Sequence, residues 1–214
     1  ALIREHDLHR WSDKILPAGA RYISPRYRII KSYPERRKVV GFISRLSKEK
    51  GVTQFLDAIP EISKIDNSIE YVIGGTGDLL NYVILESNNL SKRYNIKISV
   101  TGFIDENNFP DYLNELSLLI LPTSHSEGLP TVLLEAMACG TPVLATNVGA
   151  IGDVILDSET GFILDDISPR GVASDVARIM KFSHIENIVA NANSLIENNY
   201  RFQSALGRWE SIIR

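Results

Sequence analysis

The sequence predicts an α/β fold, a parallel sheet of about six strands with helices on both faces. Three observations carry that prediction. Short apolar runs with β-branched residues recur along the chain, as strands buried on both faces do. Between them apolar residues fall at helical spacing. The glycine-bearing and charged motifs sit at the carboxyl ends of the apolar runs, where ligands bind in open parallel sheets.

The alternation begins at Lys38, with VVGFIS (Val39 to Ser44) as the first strand. Gly51 to Ile65 follows as a helix, its apolar face set by Val52, Phe55, Leu56, Ile59 and Ile62. IEYVIGG is the second strand and closes on Gly74-Gly75; Asp78 to Tyr94 is helical, and IKISVTG is the third strand. Pro110 to Leu116 makes a short helix before the fourth strand, LLILP. The next helix opens at Leu129-Pro130-Thr131, since proline is tolerated in a first turn, and stops at Gly140. PVLAT is the fifth strand, and GFILDD (Gly161 to Asp166) a weaker sixth. Ser168 to Phe182 restarts a helix with Pro169 in its first turn. Residues 1–37 are rich in Arg, Tyr and Pro and lack periodicity, with a turn at LPAGA (Leu16 to Ala20); they read as a linker or the tail of a preceding domain. The main domain is then 38–199, followed by a terminal helix over 200–214. In that helix Phe202, Leu206, Trp209 and Ile213 form one apolar stripe, which packs either on this domain or on a partner domain.

With 214 residues, 44% hydrophobic and 23% charged, the chain has the composition of one large globular domain or of one domain with extensions. A net charge of -3 supplies no basic field for nucleic acid or an anionic membrane. The single cysteine, Cys139, excludes an internal disulfide framework and a cysteine-based zinc site, and fits a reducing compartment; a cytoplasmic location is expected. No apolar run approaches the ~20 residues of a membrane span, and no leader peptide is visible. The first residue is Ala rather than Met, so a fragment of a longer protein is expected.

The most informative stretch is SEGLPTVLLEAMACGTPVLATNVG, from Ser126 to Gly149. Glu127 and Glu135, in an E-x7-E pattern, flank a helix start whose backbone N–H groups attract anions. Two carboxylates so placed can bracket one elongated ligand, one reaching ribose hydroxyls and the other a hexose, which suits a nucleotide-sugar. Arg45 and Lys50, in the loop after the first strand, can clamp a diphosphate, Arg as a planar fork and Lys as a mobile charge. The competing reading is a solvated loop, and Lys48 is expected to face solvent. GGTGD, including Gly75, permits close approach of a ligand or simply makes a tight turn. It does not complete G-x-G-x-x-G, because position 80 is Leu, which counts against a dinucleotide cofactor. Gly102-Phe103-Ile104 either borders a base or turns the chain. Cys139 reads as a small buried helix residue and His125 as a loop histidine. Asp165-Asp166 points towards a metal site, but no D-x-D occurs anywhere, so cation help from Arg45 and Lys50 is the favoured reading.

RLSKEKG, GGTGDL, the E-x7-E segment and the later TGFIL resemble, in this order, the C-terminal domain of retaining GT-B glycosyltransferases of family 4, the glycosyl transferases group 1 class. The resemblance covers roughly residues 38–182 and implies a Rossmann-like fold, one half of a GT-B enzyme. It implies that Arg45 and Lys50 hold the donor diphosphate, that Gly75, Phe103 and the backbone of Gly128, Leu129, Pro130, Thr131 and Val132 border the donor, and that Glu135 accepts from the ribose. Glu127 would lie by the transferred sugar as a catalytic or sugar-orienting residue. The implied donor is a UDP- or GDP-hexose, used without an essential metal or other cofactor. The implied partner is a missing N-terminal acceptor domain, through which any membrane contact would come; the last helix resembles the one that crosses back to it. No nucleic acid partner is expected. The isolated chain is expected to bind donor and transfer nothing. The alternatives are a nucleotide-sugar 2-epimerase-like enzyme and a non-catalytic nucleotide-binding module.

Overall fold

The computed structural model describes residues 21–124 and 128–213, apart from the side chains of 209 and 211–213. One parallel sheet contains β1 (Val39–Ile43), β2 (Glu70–Gly74), β3 (Ile98–Gly102), β4 (Leu118–Leu121), β5 (Val143–Ala145) and β6 (Phe162–Ile163). Its order is β3-β2-β1-β4-β5-β6, with every neighbouring pair parallel. The central strands β1, β4 and β5 are buried along their whole length, which is why each reads as an unbroken apolar run. The edge strand β3 is half-buried throughout.

The helices are α1 (Val52–Ile65), α2 (Leu80–Tyr94), α3 (Phe109–Glu115), α4 (Thr131–Ala138), α5 (Pro169–Met180), α6 (Ile185–Asn199) and α7 (Phe202–Ile213). From β1 the chain steps outward to β2 and β3, then returns to β4 and steps the other way. Right-handed crossovers therefore place α1 and α2 on one face and α3 and α4 on the other. The packing agrees: α1 lies against α2 and α5, and α4 against α3 and α6. The architecture expected from the sequence is the one observed. No described helix is long and apolar enough to cross a membrane.

Several details differ from the sequence reading. The sixth strand pairs over Phe162–Ile163 alone. Asp166 leaves the ladder because its carboxylate accepts from Ser168 N–H (2.9 Å) and Oγ–H (2.8 Å), holding the turn into α5. Helix α4 begins at Thr131, with Pro130 as an extended N-cap residue rather than part of the first turn. Helix α6 was not anticipated, although Ile185, Ile188, Ala192 and Ile196 form its buried face at helical spacing. Its many asparagines and alanines dilute that stripe.

The segment before Lys38 is packed rather than peripheral. Ile23 and Tyr27 are only 1% and 5% exposed and join the core. The half-buried Arg36 guanidinium donates to Leu116 O (2.8 Å), Thr141 Oγ1 (2.7 Å), Cys139 O (2.6 Å) and Lys31 O (3.0 Å). Arg201, just before α7, donates to the carbonyls of Ser24 (2.9 Å) and Tyr27 (3.0 Å). Two isolated apolar anchors and a set of polar bonds leave no periodicity to read. In α7, Phe202 and Leu206 of the expected stripe are exposed, while the side chains of Trp209 and Ile213 lie outside the described residues.

Candidate functional site

Strand order reverses between β1 and β4, and ligands of open parallel sheets bind where that happens. The loops leaving the strands are tied together there. Ser44 N–H donates to Gly74 O (3.1 Å), Leu46 N–H to Thr76 O (2.8 Å), and Gly75 N–H to Gly102 O (2.7 Å). Gly75 has φ +121°, and a Cβ on it would stand 1.9 Å from Ser44 O, so only glycine lets the loops after β1 and β2 approach so closely. The turn Lys48–Lys50 is fastened to the segment after β4. Glu49 O accepts from Ser124 N–H (3.1 Å) and Thr123 Oγ1 (2.9 Å). Gly51, at φ +84°, lies flat against that same segment, where a Cβ would meet Pro122 O at 2.1 Å.

Between these loops lies a cleft of about 540 Å³. Ile43, Ser44, Arg45 and Lys50 form its β1 wall, Gly75, Thr76, Phe103 and Ile104 the β2 and β3 end, and Phe109, Pro130, Thr131 and Val132 the opposite side. The cleft thus runs across four strand ends, about 14 Å at ~4.8 Å per strand. Of the residues the sequence singled out, Arg45, Lys50, Gly75, Phe103, Pro130, Thr131 and Val132 share it. Gly128 is exposed and Leu129 buried next to it. Glu127 and His125 lie outside the described residues. Glu135 is not on the cleft wall: it is half-buried on α4, one turn in from Thr131, with its carboxyl hydrogen-bonded to Tyr27. Thr76, Phe109 and Tyr27 were not anticipated. Thr76 sat within a motif already singled out, whereas Tyr27 belongs to a segment that carries no pattern.

The cleft is positive at one end and aromatic at the other. Arg45 pairs with Glu49 at 2.9 Å, but both side chains are well exposed, so the pair is weak and a better anion can displace it. Helix geometry leaves the amides of Thr131 and Val132 without intrahelical acceptors. At the far end Phe103 is 77% exposed, its ring open to a planar ligand. Burial raises the Glu135 carboxyl above its ordinary range; the Tyr27 hydrogen bond pulls it back, and the nearby Glu106 charge adds to the rise. The Tyr27 phenol is raised by burial and by Glu135, and its ring stands edge-on to Phe109 at 6.1 Å. Burial pushes the Cys139 thiol up to about 12, which leaves it no role as a nucleophile.

A larger hollow of about 620 Å³ lies beside the start of α5, lined by Asp157, Asp165, Asp166, Asp175, Arg170 and Arg178 among others. Four of its six charged lining residues have local partners: Asp166 caps the turn at Ser168, Asp157 Oδ1 accepts Ile163 N–H (2.9 Å), and Asp175 pairs with Arg178 (3.0 Å). It lies away from the strand ends at the order reversal.

The family model for glycosyl transferases group 1 matches residues 24–202. Among curated proteins, the chain is 26% identical over 179 residues to an alpha-D-kanosaminyltransferase of Streptomyces kanamyceticus, which takes in 83% of this chain and 46% of that protein. The chain spans less than half the length of the curated relatives it matches. Among solved structures, a mutant of S. aureus TarM in complex with fondaparinux, alpha-GlcNAc-glycerol and UDP superposes with a TM-score of 0.74 at 19% identity, covering 90% of this chain and 38% of that one. The C-terminal domain of LpcC, a glycosyl transferase group 1 family protein of Francisella tularensis, superposes with a TM-score of 0.67 at 23% identity, covering 88% of this chain and 100% of that domain. At these identities the structural likeness speaks to the GT-B type of fold.

Proposed function

This chain belongs to the glycosyl transferases group 1 family, and from that premise we propose that it is the donor-binding, C-terminal half of a retaining, family 4 hexosyltransferase that uses a UDP- or GDP-sugar. The observation that carries the proposal is the cleft at the strand-order reversal, with Arg45, Lys50 and the start of α4 at one end and Phe103 at the other. Phe103 and the strand ends beside it take the nucleoside. The diphosphate lies towards β1 and β4, where Arg45 and Lys50 bind its oxygens and the amides of Thr131 and Val132 supplement them.

Cleavage of the glycosidic bond puts negative charge on the departing diphosphate. Cations and amides already in place stabilise that charge more in the transition state than in the ground state, which is what accelerates the step. Glu127 acts beside the transferred sugar. Glu135, one turn further along α4 than the Thr131 wall, is the acceptor this reading assigns to the ribose hydroxyls. Acceptor contacts belong to a separate N-terminal half, so the isolated chain binds donor and does not transfer sugar.

Titration calorimetry of this chain with UDP-, GDP- and ADP-glucose tests the reading. One of them should bind, and Arg45→Ala or Lys50→Ala should weaken it about tenfold or more, as expected for a lost charge-assisted bond. No binding by any of the three, or unchanged affinity in both variants, would remove the cleft from consideration. Sugar transfer by the isolated chain would refute its dependence on a second half.

A further inference from the structure

We propose that Arg21 is a third cation of this cleft, binding phosphate oxygens of the donor at the α4 end; the inference rests on the donor-binding reading above. Arg21 lies 24 residues before Arg45 in sequence, in the segment whose pattern gave no hint of a site. Its Nη1 donates to Thr131 Oγ1 at 2.5 Å, and Thr131 is both the first residue of α4 and a wall residue of the cleft. Its Nη2 stands 3.7 Å from where a Cβ on Gly128 would be. The guanidinium therefore stands at the start of α4, beside a wall residue of the cleft.

The side chain hangs from an anchored backbone. Arg21 O accepts from Arg208 Nη2 at 3.5 Å, and two residues on Ile23 N–H donates to Tyr200 O at 2.8 Å. Among the described residues, no carboxylate is paired with Arg21, in contrast to Arg45 with Glu49. A guanidinium has five N–H donors in a planar fork, and Thr131 uses one of them. The others suit a bidentate grip on phosphate. Merely tethering a threonine hydroxyl needs a neutral donor, not a full charge. Location separates the two roles further. Thr131 lies at the β4 end of the cleft and Phe103 at the β3 end, so Arg21 acts on phosphates and not on the base.

The test compares diphosphate with nucleoside on the full chain. Arg21→Gln keeps an N–H donor for Thr131 and removes the charge. Arg21→Lys keeps the charge. UDP, GDP and ADP are titrated by calorimetry, and the matching nucleosides by chemical-shift perturbation. With the diphosphate that binds, Arg21→Gln should weaken affinity about tenfold while its nucleoside binds as before. Arg21→Lys, which keeps the charge and loses the fork, should fall between the native chain and Arg21→Gln, and the diphosphate affinity of the native chain should fall more steeply with salt than that of Arg21→Gln. Unchanged diphosphate affinity in Arg21→Gln overturns the proposal. So does an equal loss for diphosphate and nucleoside, which marks a tether alone. If Arg45→Ala weakens binding and Arg21→Gln does not, the inference falls and the donor site stands. If the native chain binds none of the three diphosphates, both fall together.

Discussion

Burial raises the Glu135 carboxyl above its ordinary range in the folded chain, and the Tyr27 hydrogen bond offsets only part of that rise. The folded form thus holds this proton more tightly than the unfolded chain. A carboxyl raised on folding leaves stability highest below the ordinary carboxylate range and lowers it as pH rises towards the folded value. Glu135→Gln removes the ionisation and keeps an acceptor for Tyr27. The variant should therefore lose less stability than the native chain between about pH 4 and pH 7, and be at least as stable near neutrality. Its nucleoside diphosphate affinity should fall, because the acceptor offered to the ribose loses its charge. Thermal unfolding across that pH range, beside calorimetry at pH 7, checks both halves; parallel stability curves would sink the account of Glu135. The sequence showed an acid on a helix at this position. It could not show Tyr27, whose position beside Glu135 depends on Arg201 and the core holding an otherwise patternless segment.

Elements were far more legible than their connections. β1, β4 and β5 are buried on both faces, so hydrophobicity alone marks them, and the helices between strands show their packed face directly. β6 was overextended because GFILDD looks like a strand until Asp166 turns to cap the next element. α6 was missed because asparagines and alanines dilute the stripe of Ile185, Ile188, Ala192 and Ile196. The convergence of Arg45, Lys50 and the start of α4 followed from parallel α/β topology, which gathers every strand's carboxyl end on one edge. What no pattern reveals is how closely the loops lie. Gly51 sits in left-handed backbone against Pro122 O, and this contact positions Lys50 beside the segment after β4. Gly51→Ala should cost about 2–4 kcal/mol, from the φ penalty and the displaced loop, and should weaken diphosphate binding as Lys50 moves. Urea unfolding with an unchanged m-value, beside calorimetry, checks it. Native stability in that variant would mean the loops have freedom the packing denies them.

The packed unit reaches back beyond the boundary read at Lys38, and the family match, beginning at residue 24, coincides with that. Ile23 and Tyr27 enter the core, Arg36 links Lys31 to the carbonyls that end α3 and α4, and Asn114 Oδ1 accepts Ile30 N–H at 2.8 Å. The same segment is bound through Arg201 to the start of α7, so the first and last parts of the described residues are joined. A chain beginning at Lys38 loses two buried side chains, at about 1.5–3 kcal/mol each, and leaves the acceptors of Arg36 and the donor groups of Arg201 unmet. Against a total domain stability of about 5–15 kcal/mol, that loss is a large fraction of the whole. A chain starting at Arg21 serves as the reference. One starting at Lys38 should unfold well below it or lack fixed tertiary packing, seen as lost near-ultraviolet dichroism. Arg201→Ala separates lost anchoring from lost length: with every residue of the segment present, it should reproduce part of the fall. Equal midpoints for the two starting points would show that residues 21–37 lie on the domain without holding it together.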